Sequence, residues 1–206
     1  MPRLTAENKA LNRERLLRAA ADEFARDGLD GANINEISLA AGLAKGTVYN
    51  HFDSKEALFL EVVEHACALA AEGADEVPAG APTRERLRAA LASDIGWARE
   101  HEPFARVLIR EVLSADPRFY PRVIEAAAPF ISRVEAILAD GVRRGEVQPQ
   151  PPPNELALLF VGFGDIALIQ NWGSGGEWPP LERIPDLVVD LFLDGAAAGG
   201  KRGRRR

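Results

Sequence analysis

Five side chains within residues 45–55 have the means to grip a polyanion: Lys45, Thr47, Asn50, His51 and Lys55. A lysine offers a point charge to phosphate, and hydroxyl, amide and imidazole groups hydrogen-bond phosphate oxygens or base edges. Gly46 lies among them and lets the backbone approach closely. The chemistry works only if these groups share one exposed face. The flanking sequence supplies such a frame. Short helices over 34–40 and 44–50 are joined by Ala41-Gly42-Leu43, a turn in which Gly42 adopts positive φ. Two short helices joined in this way form a helix-turn-helix. Asn33 is the N-cap of the 34–40 helix, and Glu36 completes a capping-box pattern. Ile34, Ile37, Leu43 and Val48 pack the pair on a first helix over 8–27. In that helix Leu16, Ala20 and Phe24 repeat four apart, and Gly28 caps its end. Ser38 and Ala41 are small enough for a close crossing. A fourth helix over 54–73 starts at Ser54, which sets Lys55 at an adjacent phosphate.

Composition bounds the rest. The chain has 206 residues, with 25 Lys+Arg against 31 Asp+Glu and a net charge of -6. Residues 1–58 carry 8 basic and 9 acidic side chains, so a basic face there must come from placement. The last six residues hold five basic side chains. The single cysteine, Cys67, excludes a disulfide framework and a Cys-rich zinc site. No apolar run reaches about 18 residues, so no membrane contact is expected. The first residues lack the apolar stretch of a signal peptide, and the expected compartment is the cytoplasm. The chain contains no G-x-S-x-G, HExxH, Walker loop or Glu-x-x-His pair. Neither an enzyme nor a cofactor or metal is expected.

No segment alternates with period two for long, and Ala, Leu, Glu and Arg dominate, so the expected fold is all-α with about nine helices. After a linker at 74–82, helices are expected over 83–100, 103–113, 117–144, 154–172 and 182–197, with a kink at Pro129. The domains read as 1–55, a three-helix helix-turn-helix domain, then 56–198, then a basic tail at 199–206. Leu156, Leu159, Phe160 and Phe163 form one apolar stripe, and Leu187, Val188, Leu191 and Phe192 form another. Together they exceed one helix's need. Gly162 and Gly164 flank Phe163, at a cost of roughly 1 kcal/mol each against Ala, which suggests close packing or a cavity.

Ala19-Ala20, Phe24, Gly28, Ile34, Ile37, Ala41-Gly42-Leu43, Lys45-Gly46-Thr47-Val48-Tyr49, His51-Phe52, Ser54-Lys55-Glu56 and Leu58 closely resemble the DNA-binding domain of the tetracycline-repressor (TetR) family. The region from Arg106 to Gly145 loosely resembles the AcrR/AefR-like branch. The sequence departs from the family at Ala32, Asn33 and Ala44, where Ser or Thr is frequent; Asn33 still caps, and its amide can meet a phosphate. The resemblance implies that Lys45, Thr47, Tyr49, His51 and Lys55 face double-stranded DNA with a palindromic operator. It implies a C-terminal ligand-binding and dimerisation domain, for which Trp97, Phe104, Arg106, Arg110, Tyr120, Phe130, Phe163, Asp165 and Trp172 are candidate pocket residues. It also implies a homodimer through the stripes Leu156, Leu159, Phe160, Leu187, Val188, Leu191 and Phe192. The expected function is transcriptional repression relieved by a small molecule.

Overall fold

A computed structural model describes residues 6–72 and 80–196. The basic tail at 199–206 lies outside the described residues. Among those described there is no strand. Eight α-helices follow one another: α1 (Ala6–Gly31), α2 (Ile34–Ala40), α3 (Lys55–Glu72), α4 (Thr83–Glu100), α5 (Glu102–Ser114), α6 (Tyr120–Arg143), α7 (Pro153–Gly173) and α8 (Ile184–Asp194). Two 3-10 turns, Thr47–Asn50 and Leu181–Arg183, complete the order. The expectation of nine helices is corrected at one place. The segment expected to be a helix over 44–50 is a 3-10 turn of four residues. Gly46 sits at φ 78°, in the left-handed region, and a right-handed helix cannot pass through it. Ala44 brings no capping side chain, and Thr47 and Val48 are β-branched, so nothing favours extension.

The chain divides into two compact units that do not follow chain order. Unit 1 comprises Met1–Gly73 and Trp97–Pro129, and unit 2 comprises Ala74–Gly96 and Phe130–Arg206. In unit 1, α5 packs on α1 and α3, and α2 packs on α1. Its centre holds Leu16, Phe24, Ile37, Leu58 and Phe59, all nearly inaccessible, with the Phe24 and Phe59 rings edge-to-face at 5.2 Å. At Gly28 (φ 71°, ψ 178°) the regular helix of α1 breaks, and one further turn carries the chain to α2. The start of α6 falls at Tyr120 because Asp116 turns the chain first. Its carboxylate accepts from the Arg118 N–H at 2.9 Å, and its carbonyl accepts from Phe119 at 3.0 Å.

In unit 2, α7 packs on α8. Ala157, Phe160, Leu168, Ile184 and Val188 fill the interior, and Phe160 meets Phe192 edge-to-face at 5.1 Å. Arg84 pairs with Asp190 and Asp194, and Arg88 with Asp186, which fastens α4 to α8. The α7 helix, with mean hydropathy 1.4, is long and apolar enough to cross a membrane by length and composition. Within unit 2, however, one face of α7 is core, and that face carries the polar Asp165 and Asn171.

Candidate nucleic-acid interface

The turn at Thr47–Asn50 is held from below and open above. Val48 is fully buried and Phe52 is 5% exposed, so residues four apart pin the segment to unit 1. Between them Tyr49 is 60% exposed, and Lys45 and Asn50 are exposed. Thr47 and His51 are half-buried. A run of polar groups is thereby presented by a short, anchored backbone. Gly42 (φ 71°) and Gly46 (φ 78°) supply the two left-handed residues this path requires. The Arg15 guanidinium of α1 lies over Gly42, with Nη2 2.9 Å from where a Cβ would stand.

Asn33 caps α2 as expected, its Oδ1 accepting from the Asn35 N–H at 2.9 Å. The reciprocal partner is not Glu36. The Asn33 N–H donates to Glu23 Oε1 at 3.0 Å, on a carboxylate of α1 that is 6% exposed and also paired with Arg26. Ser54 caps α3 as expected, Oγ accepting from the Ala57 N–H at 3.1 Å. Lys55 also has a structural role. Its Nζ donates to the carbonyls of Asp30 at 3.1 Å and Ala32 at 3.3 Å, which closes the α1–α2 junction against the start of α3.

Burial, and then the nearby cations of Lys9 and Arg13, push the His51 pKa below its ordinary value. Its Nδ1 is enclosed with no partner among the described residues. Arg13 pairs with Glu61 and stacks over the Phe52 ring at 5.3 Å. The positive groups gathered at this edge of unit 1 therefore include Lys9, Arg13 and Arg15 as well as Lys45.

The candidate pocket residues are distributed over both units. In unit 1, Trp97 and Phe104 are buried, Phe104 against the His65 ring at 5.3 Å. Arg106 pairs with Glu102, and Tyr120 is half-exposed. Arg110 has a definite job: it donates to the carbonyls of Phe24 at 3.0 Å and Ala25 at 2.6 Å, the last regular turn of α1 before Gly28. It also lines a cleft of about 530 Å³ with Asp27, Gly28, Glu111 and Arg118. No sequence pattern points to that cleft, and its polar walls are already matched, Asp27 by Arg26 and Asp116 by Arg118. In unit 2, Phe130 and Trp172 are half-buried and Phe163 is 38% exposed. Asp165 is 7% exposed and faces Asp94 of α4. Burial, and then the Asp94 charge, pushes the Asp165 carboxyl up to about 8. Nothing in the sequence singles out Asp94. It rises to about 7 through burial, which the charge of Arg133 opposes.

The apolar stripes divide differently from their sequence grouping. Phe160 and Val188 belong to the core of unit 2, while Leu156 and Phe192 are half-buried. Leu158, Leu159, Phe163 and Ile166 on α7 are exposed, as are Leu187 and Leu191 on α8.

The profile described as "Bacterial regulatory proteins, tetR family" matches residues 16–62, and "Tetracyclin repressor-like, C-terminal domain" matches residues 80–196. The chain is 29% identical to the HTH-type transcriptional repressor AcnR of Corynebacterium diphtheriae over 191 residues, covering 92% of this chain and 96% of that one. It is 21% identical to the fatty acid metabolism regulator protein of Bacillus subtilis, covering 87% of this chain and 93% of that one. The fold matches the crystal structure of FadR from Bacillus subtilis in complex with stearoyl-CoA, with TM-score 0.76 at 18% identity, over 89% of this chain and 99% of that one. These relatives are regulators, not enzymes. With both halves of the pattern matched in order, the chain belongs to the tetR family of bacterial regulatory proteins and is a DNA-binding transcriptional regulator.

Proposed function

We propose that the protein acts in the cytoplasm as a homodimeric repressor that binds a palindromic operator through residues 44–51 of each copy. The observation that carries this reading is the turn itself. Val48 and Phe52 are buried while Lys45, Tyr49 and Asn50 stand exposed on either side of them. Lys45 supplies charge to a phosphate or to a guanine edge, and Thr47, Asn50 and the Tyr49 hydroxyl supply hydrogen bonds. His51, with Nδ1 enclosed, has Nε2 left to donate to a phosphate oxygen. The Asn33 amide nitrogen, not used by the cap, suits the same role.

The exposed apolar residues of α7 and α8 support the dimer. A face of Leu159, Phe163, Ile166, Leu187 and Leu191 left in water is costly, and a second copy presenting the same face removes it. Two helices from each copy would form a four-helix interface. A two-fold dimer presents two turns about one helical repeat apart, roughly 34–36 Å or a small multiple. The stearoyl-CoA held by the Bacillus FadR structure supports a small-molecule site in this fold. Ligand that favours a dimer with a different separation of the turns lowers DNA affinity by shifting the population.

Selection from random duplexes by the purified full chain at low salt is the direct test. Recovery of one palindromic sequence is expected. Recovery of bound duplexes without a common palindrome overturns the reading.

A further inference from the structure

We propose that the Asp165 carboxylate anchors a ligand that carries a protonated amine, an inference that rests on the ligand-responsive reading above. Asp165 sits in unit 2 on α7, is 7% exposed, and makes no hydrogen bond or ion pair with any described residue. A buried carboxyl without a partner is costly, and a small apolar residue there would avoid the cost. The neighbouring groups deepen the mismatch. Asp94 on α4 brings a second carboxyl to the same place, and the charge near enough to compensate it is Arg133 on α6. Arg133 acts on Asp94, whereas the charge that acts on Asp165 is that of Asp94. Beside it in the sequence, Leu91 stands against Gly164, and Leu168 is buried one turn along α7. One turn before Asp165, nothing lies within 4 Å of the position a Gly162 Cβ would take, so that edge of α7 is open.

An anion would bring like charge to two carboxyls that burial already keeps from ionising. A neutral apolar molecule would leave Asp165 unpaired. An ammonium group supplies the missing donor and charge together, and its apolar portion meets the leucines. Burial keeps the empty carboxyl largely protonated near neutral pH. Binding of R–NH3+ therefore forms the ammonium–carboxylate pair and releases the carboxyl proton to buffer, with no other exchange.

The probes are decylamine, decanol and decanoate, titrated calorimetrically into the full chain at pH 7 in two buffers of different ionisation enthalpy. The expected order is decylamine tightest, by at least about tenfold over decanol, and decanoate weakest. Proton release should approach one per protomer for the amine alone. Asp165→Asn should bring decylamine within about twofold of decanol and abolish the proton release. Equal affinities for the three probes, or an amine preference that survives Asp165→Asn, overturns the proposal. The ranking on the unaltered chain needs no variant, so a poorly folding Asn chain leaves it decisive. Duplex selection on the same preparation separates the two readings. A palindrome with no amine preference sinks this inference alone, and amine preference with no palindrome sinks the repressor.

Discussion

Lys55 separates two jobs that one lysine can hold. From its place in the sequence it reaches a phosphate. In the structure its ammonium donates to the Asp30 carbonyl at 3.1 Å and the Ala32 carbonyl at 3.3 Å. Hydrogen bonds to a charged group are worth about 1.5–3 kcal/mol each when buried. Here one is exposed and the other partly buried, so about 1 kcal/mol for the two is the reasonable sum. Lys55→Met keeps the aliphatic stem and removes the donors. It should lower the melting temperature by about 2–4 °C for a chain of this size. A phosphate contact has a different signature, since each one contributes about -0.9 to the slope of log K against log salt. With two N–H groups committed to carbonyls, the Met variant should change that slope by under about 0.5. Thermal melting and fluorescence anisotropy on a selected duplex across salt concentrations read the two quantities separately. An unaltered melting temperature together with a slope flattened by about 1.8, two contacts in the dimer, would refute the clasp and restore the phosphate.

Gly42→Ala and Gly46→Ala should each cost about 1–2 kcal/mol from positive φ alone, but only the former also displaces Arg15. The Arg15→Ala background should therefore narrow the gap between the two in denaturant titrations. Leu159→Glu with Leu191→Glu should give a folded monomer by light scattering and circular dichroism, because both side chains are exposed in the protomer. Val188→Glu, in the core, should instead unfold unit 2. Asp165 has a carboxyl raised from 3.8 to about 8, so the folded state binds more protons than the unfolded chain between those values. Its contribution to stability is complete below about 3.8 and is lost as pH rises to about 8. Asp165→Asn should accordingly flatten the pH profile of melting and gain most over the parent at alkaline pH.

The turn glycine Gly42, the Asn33 and Ser54 caps and most helix bounds are legible in the sequence because each rests on near neighbours. Gly42 at φ 71° is the clearest instance, as a three-residue turn leaves no other conformation for it. What stays hidden depends on residues far apart in the chain. Glu23 receives the Asn33 N–H from ten positions away, and on α1 it reads as one more surface carboxylate. Arg110 reaches carbonyls of α1 across 85 and 86 positions. Asp94 acquires meaning only when Asp165 is beside it. The stripes of α7 and α8 show a related limit. Periodicity identifies an apolar face but not what covers it, so Phe160 and Val188, which are core, share a pattern with Leu159 and Leu191, which are exposed. The 44–50 segment reads as a helix for a local reason, because Gly46 serves equally as a helix residue in a pattern and as a left-handed stop in space.

A net charge of -6 has little bearing on affinity for DNA at physiological salt, where screening confines the field of an exposed charge to about 8 Å. What matters is which cations at the polar edge of unit 1 are uncommitted. Arg13 is paired with Glu61, and Lys55 is held by two carbonyls. Lys9, Arg15 and Lys45 make no ion pair among the described residues, and Lys9 acts on His51 while Arg15 lies over Gly42. Those three cations per copy give six in a dimer. At about -0.9 per neutralised phosphate, the slope of log K against log salt should be no steeper than about -5. The exposed carboxylates of Glu36 and Asp53 in the same region make it shallower. Lys45→Ala should flatten the slope by about two units in the dimer if it holds a phosphate. If it reads guanine it should instead cost roughly 1–3 kcal/mol per half-site and relax the preference at one symmetric position. A measured slope near about -10 would require basic contacts well beyond these three groups and would refute the assignment of the interface to this edge.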